Sequence, residues 1–94
     1  MNLNQVTVEV SDIARARDFY QTLGLELIVL SEHYARFVCP GGATFSVHLA
    51  KTVSPSSTLM YFECEDLDAR YARLVEAGVT FESGPTDQRW LWRE

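Results

Sequence analysis

"EVSDIARARDFYQTLGL" at residues 9–25 and "ECEDLDARYARLVEAGV" at residues 63–79 decide how this chain reads. Glu9, Asp12, Ile13, Gly24 and Leu25 in the first find Glu63, Asp66, Leu67, Gly78 and Val79 in the second, at a constant offset of 54. Similarity at a fixed spacing marks a repeated supersecondary unit. In the first copy Ser11 and Asp12 offer oxygens to cap a helix, and Ile13, Ala16, Tyr20 and Leu23 recur at helical spacing. Gly24 suits the position just past the helix, where the left-handed conformation costs a glycine little. The pattern predicts a helix over 12–23. In the second copy Asp66 caps, Leu67, Tyr71, Leu74 and Val75 form the apolar stripe, and Gly78 closes a helix over 67–77.

Outward from these helices the period changes to two. Val6, Val8 and Val10 alternate with Thr7, Glu9 and Ser11, the mark of a half-buried strand. Leu25, Leu27 and Val29 resume a strand after Gly24. "YARFVC" (34–39) and "ATFSVHL" (43–49) flank the turn signal Pro40-Gly41-Gly42. Residues 1–54 therefore read as one β-α-β-β-β module. Residues 55–94, entered through the linker "SPSST", read as a second. There Met60, Phe62 and Cys64 replace the valines, Val79 and Phe81 take the places of Leu25 and Leu27, and "RWLW" (89–92) echoes "RFVC" (36–39). The counterpart of "ATFSVHL" falls past Glu94, so the second module is expected to lack its final strand. The fold class is α+β, two paired modules forming one domain. A strand edge left bare in this way is an aggregation hazard. The expected remedies are a longer natural chain, of which this is a truncation, and a homodimer.

The bulk properties exclude several classes. The chain has 94 residues, 47% hydrophobic and 22% charged, with eight Lys and Arg against thirteen Asp and Glu for a net charge of −5. Without a basic run, nucleic acid is not an expected partner. No apolar stretch approaches the roughly 18 residues of a membrane helix, and no secretory signal opens the chain, so no membrane partner is expected and the cytoplasm is the expected location. Cys39 and Cys64 form no CxxC motif; they read as small buried hydrophobes, with a disulfide as the alternative.

The strand, the Ser-Asp cap, the Phe-Tyr helix and the Leu-Gly-Leu exit of the first copy, in that order, together with "DLDARYARLVEAGV" (66–79) in the second, resemble the vicinal oxygen chelate superfamily. That group includes glyoxalase I, bleomycin resistance proteins, fosfomycin-resistance enzymes and extradiol dioxygenases. The resemblance covers essentially the whole chain. It implies two modules whose sheets curl into a cup with helices outside and a small-molecule ligand within. It also implies a divalent metal in the catalytic members, held on each module's first strand, its fourth strand or both. Those slots fall here on Gln5, Ser46 and Leu59. Gln serves some glyoxalases, Ser46 stands where Glu is needed, and Leu59 stands where His is common. Leu59 offers no donor, and a divalent ion needs about three. No metal and no other cofactor is therefore expected, with a divalent metal as the alternative.

Alternation assigns the inward residues. If the valines meet the helix, Gln5, Thr7 and Glu9 turn the other way, and Leu59, Tyr61 and Glu63 are their counterparts. Phe45, Val47 and Leu49 suit the helix side, leaving Thr44, Ser46 and His48 for the cup. Such alternation also fits a merely solvated sheet face. The expected ligand-binding residues are Gln5, Thr7, Arg36, Ser46, His48, Tyr61, Trp90 and Trp92, with Tyr34 and Arg89 as further candidates. Glu9 and Glu63 are the candidate catalytic bases, and with His48 they could instead make a non-standard metal site. Trp90 and Trp92 match Phe37 and Cys39 by the repeat, which favours core packing unless a bulge turns them inward. Two functions stay open: a metal-free protein binding a small organic molecule, and an enzyme of the glyoxalase lyase or isomerase kind or a dioxygenase-like one.

Overall fold

The N-terminal alternation becomes β1 (Gln5–Val10) in a computed structural model that describes residues 1–89 and 93–94. The helix α1 (Ile13–Thr22) follows, then β2 (Glu26–Leu30), β3 (Tyr34–Val38) and β4 (Thr44–Leu49). The strands form one sheet in the order β1-β4-β3-β2, with β1 parallel to β4 and the other pairs antiparallel. This is the expected β-α-β-β-β module. It lies within a compact unit, Met1–Ser57; a second unit comprises Thr58–Glu94.

The period of two sorts the sheet into two chemistries. Ala35, Phe37 and Val47 are fully buried and Phe45 nearly so, and α1 lays Ile13 and Ala16 into the same core. The Tyr20 ring stands 4.7 Å from Phe45 and 5.8 Å from Phe37 between centroids, so one tyrosine joins helix to sheet. Burial pushes its hydroxyl pKa above the usual tyrosine value. At roughly 1.5–3 kcal/mol for a fully buried large side chain, Phe37 and Val47 carry a large share of the unit's stability. At the far edge, β2 slips register between Leu27 and Val29. A bulge of this kind twists an edge strand and makes it a poorer template for another chain.

The second unit repeats the helix of the first bond for bond. Asp12 Oδ1 accepts from the Arg15 amide at 3.0 Å and Asp66 Oδ1 from the Ala69 amide at 3.1 Å. Leu25 N–H donates to Tyr20 O and Gly24 N–H to Gln21 O; Val79 N–H donates to Leu74 O and Gly78 N–H to Val75 O. Each pair is a Schellman closure, with the glycine at φ 101° and 94°. The helix α2 (Leu67–Glu76) buries Leu74, and Tyr71 meets Phe81 edge-on at 4.8 Å.

The strands expected over 60–64 and 79–81 are not formed. Among the described residues of this unit the ladder is a single bridge, Asp87 to Arg93. In the first unit β1 is paired with β4. Among the described residues, 60–64 have the side-chain alternation of a strand but no partner strand beside them. The expected "RWLW" strand lies, at Trp90, Leu91 and Trp92, outside the described residues. No helix among the described residues is long and apolar enough to cross a membrane.

Candidate functional site

On the sheet face opposite α1, three strands bring polar side chains into two adjoining rows. Register places Thr7 beside Ser46 and Ser46 beside Arg36 in one row, and Glu9 beside His48 and His48 beside Tyr34 in the next. Gln5 and Thr44 continue the face at the N-terminal end of β1. Neighbouring strands in a sheet are about 4.8 Å apart, close enough for these short side chains to bond across the ladders.

They do so as a network. Gln5 Nε2 donates to Tyr34 Oη at 2.9 Å and to Ser46 Oγ at 2.8 Å, and stands 3.4 Å from Thr7 Oγ1. Thr7 Oγ1 and Ser46 Oγ are 2.7 Å apart, so one of the two hydroxyls donates to the other. Ser46 itself is 0% exposed, a polar side chain completely covered on a face that is otherwise wet. Burial without a partner would cost a hydroxyl about 1–3 kcal/mol, and the two short bonds remove most of that cost. Arg36 lies alongside: its Nη2 donates to Thr44 Oγ1 at 2.9 Å, and that hydroxyl donates onward to the Asn4 carbonyl at 3.1 Å. The Arg36 Nε–H is buried and bonds to nothing among the described residues.

Of the sequence-derived candidates, Gln5, Thr7, Arg36 and Ser46 therefore share one connected patch, with Glu9 and His48 exposed in the row beside it. Tyr34 carries more of the patch than sequence reasoning gave it. Its signal was its alternation with Ala35 and Phe37, which turns it away from the helix. Tyr61 and Glu63 belong to the second unit, where both are exposed and line an open groove of about 980 Å³ beside the start of α2. Arg93 borders the same groove and ties it down electrostatically, its guanidinium 2.7 Å from Asp68 and 3.0 Å from Asp87. Bonded in this way, Asp68 is held below the usual carboxylate range. Trp90 and Trp92 lie outside the described residues, and Arg89 is exposed.

The metal slots implied by the resemblance hold the wrong donors. Gln5 and Ser46 are bonded to each other at 2.8 Å, an amide and a hydroxyl in place of carboxylate or imidazole, and Leu59 has only hydrocarbon. These residues do not fit a divalent ion. Among the described residues no group of three His, Cys, Asp or Glu side chains is placed to hold a metal ion; Glu9 and His48 belong to the first unit and Glu63 to the second.

Comparison with known proteins adds the following. The model of the Glyoxalase/Bleomycin resistance protein/Dioxygenase superfamily matches residues 2–94. A solved member of that superfamily from Sphaerobacter thermophilus is 30% identical, with a TM-score of 0.79 over 99% of this chain and 84% of that one. A glyoxalase/bleomycin resistance protein/dioxygenase from Nocardioides is 21% identical, with a TM-score of 0.74 over 99% of this chain and 72% of its own. A bleomycin resistance determinant encoded on the transposon Tn5 is 16% identical at a TM-score of 0.73, over 99% and 84% of the two chains. No curated protein matches.

Proposed function

This chain belongs to the glyoxalase/bleomycin resistance protein/dioxygenase superfamily, and on that premise we propose that it holds a small organic molecule against the polar sheet face of its first unit, without the divalent metal of catalytic relatives. The observation that carries this reading is the network joining Gln5, Tyr34, Thr7 and Ser46 across three strands. A merely solvated face has no need of bonded side chains that cover a serine completely. Fixed donors of this kind orient a ligand at little entropic cost, because their rotamers are already held.

A metal-dependent lyase, isomerase or dioxygenase is the second reading. It draws on Glu9 and His48, which face each other in register and pair a carboxylate with an imidazole. One experiment separates the two. The purified protein is dialysed, assayed for Zn, Ni, Mn and Fe, and screened by thermal shift against a panel of small aromatic and polar molecules. The binding reading expects no stoichiometric metal and at least one stabilising compound whose effect is lost in Gln5→Leu. Metal retained after dialysis and lost on mutating Glu9 or His48 replaces the binding reading with the enzymatic one.

Self-association is part of the proposal. Leu59 and Tyr61 are 74% and 69% exposed on a segment with no ladder partner among the described residues, and a second copy can cover it. Sedimentation at low micromolar concentration should give a dimer, and a stable monomer refutes this part alone.

A further inference from the structure

The hydrogen count of the sheet face specifies what kind of ligand group it takes. The Gln5 amide and the hydroxyls of Tyr34, Thr7 and Ser46 together own five polar hydrogens, and three bonds join these groups at 2.9 Å or less. Two hydrogens remain. Turning the amide over changes which groups hold them but not their number. Among the described residues the further acceptor within reach is the Val6 carbonyl, 3.5 Å from Ser46 Oγ, which is too long for a good bond. Hydroxyls can also accept, so these groups alone would suit a neutral ligand.

Arg36 breaks that neutrality. A guanidinium only donates and is always charged. Arg36 spends one hydrogen on Thr44, and its Nε–H is buried without an acceptor. Its register neighbours are Ser46 on one side and Val29 on the other, neither of them charged. Among the described residues it forms no ion pair, whereas Arg17 and Arg93 do. A half-buried cation with no counter-charge, beside hydroxyls with hydrogens to spare, is arranged for an anionic acceptor. We infer that the ligand is a small organic carboxylate whose oxygens meet Arg36 and the Tyr34 hydroxyl. This rests on the binding reading above and names the chemical class that site accepts. Such charge-assisted bonds are roughly twice as strong as neutral ones.

The test uses two probes of nearly equal shape, benzoate and benzamide. Each is titrated into the 94-residue protein at constant ionic strength while backbone amide resonances are followed. Benzoate should shift Arg36, Thr44 and Ser46 and bind about tenfold tighter than benzamide. Arg36→Gln should bring benzoate down to the benzamide level and leave benzamide unchanged. Tyr34→Phe, which deletes one hydroxyl and keeps the ring, should weaken benzoate about threefold and keeps the test decisive if Arg36→Gln does not fold. Equal binding of the two probes overturns the carboxylate assignment and leaves the binding reading standing. Shifts from neither probe at these residues overturn the carboxylate assignment too, and the binding reading falls only if the thermal-shift panel also gives no stabilising compound.

Discussion

Thr7→Val is the substitution on which burial and bonding disagree. Thr7 is exposed, sits mid-strand, and loses only a hydroxyl to an isosteric side chain well suited to strands. An exposed change of this kind normally stays within about 0.5 kcal/mol. Its partner decides otherwise. Ser46, 2.7 Å away and fully buried, would keep the bond from Gln5 but lose its short contact to Thr7. Among the described residues its one other acceptor is the Val6 carbonyl at 3.5 Å. Stranding a buried hydroxyl costs about 1–2 kcal/mol after partial relief from that long contact. For a domain of this size that lowers the melting temperature by roughly 4–8 °C per kcal/mol. In Ser46→Ala nothing buried remains to strand, so adding Thr7→Val there should cost no more than about 0.5 kcal/mol. Thermal and urea unfolding of the four proteins in this cycle, followed by circular dichroism, gives a coupling of about 1 kcal/mol. The same loss in both backgrounds, or no loss in either, refutes the network as the reason Ser46 is buried.

Three other outcomes follow from the same geometry. Gly78→Ala should destabilise the second helix by about 1–2 kcal/mol through backbone strain alone, since φ is 94° and a Cβ would meet nothing within 4 Å; a loss of helical signal on mild heating reports it. Phe37→Ala should cost about 3–5 kcal/mol, enough to unfold much of the first unit at 37 °C, whereas Phe37→Leu should leave it folded. Carboxyl titration by NMR should place Asp68 below the ordinary aspartate range and return it there in Arg93→Met. Because the folded pKa is the lower one, this ion pair contributes stability at neutral pH and loses it as pH falls through the folded value.

The helices were legible because their signals are local. Cap, stripe and closing glycine all lie within one segment, and the expected spans 12–23 and 67–77 became Ile13–Thr22 and Leu67–Glu76. The first sheet was legible because alternation and turn residues agreed along 34–49. Residues 60–64 show where that logic ends: Met60, Phe62 and Cys64 alternate as well as the valines do, but a strand is a relation between two segments. The polar face was only half readable. Alternation turned Gln5, Thr7, Arg36 and Ser46 away from the helix, yet nothing in the sequence said that Ser46 would be fully covered. That depended on the parallel register of β1 with β4, which sets Thr7 beside Ser46, and on the antiparallel register of β3, which brings Tyr34 within reach of Gln5. Register is a long-range property, and a single chain does not print it.

The parallel pairing of β1 with β4 also sets the order in which the molecule can be made. Every pair in that ladder is 39 residues apart, from Gln5 with Thr44 to Val10 with Leu49, whereas β3 and β4 meet across a short turn. Closing the long loop is slow, and it gains nothing until the meander of β2, β3 and β4 offers an edge to dock on. At the usual pace of synthesis, about 5–20 residues per second, β1 leaves the ribosome roughly 2–8 s before its partner strand does. During that interval Val6, Val8 and Val10 form an unpaired strand in a growing polypeptide, open to pairing with any neighbour. The newborn chain is therefore most vulnerable to misassembly at the strand that, once docked, carries Gln5 and Thr7.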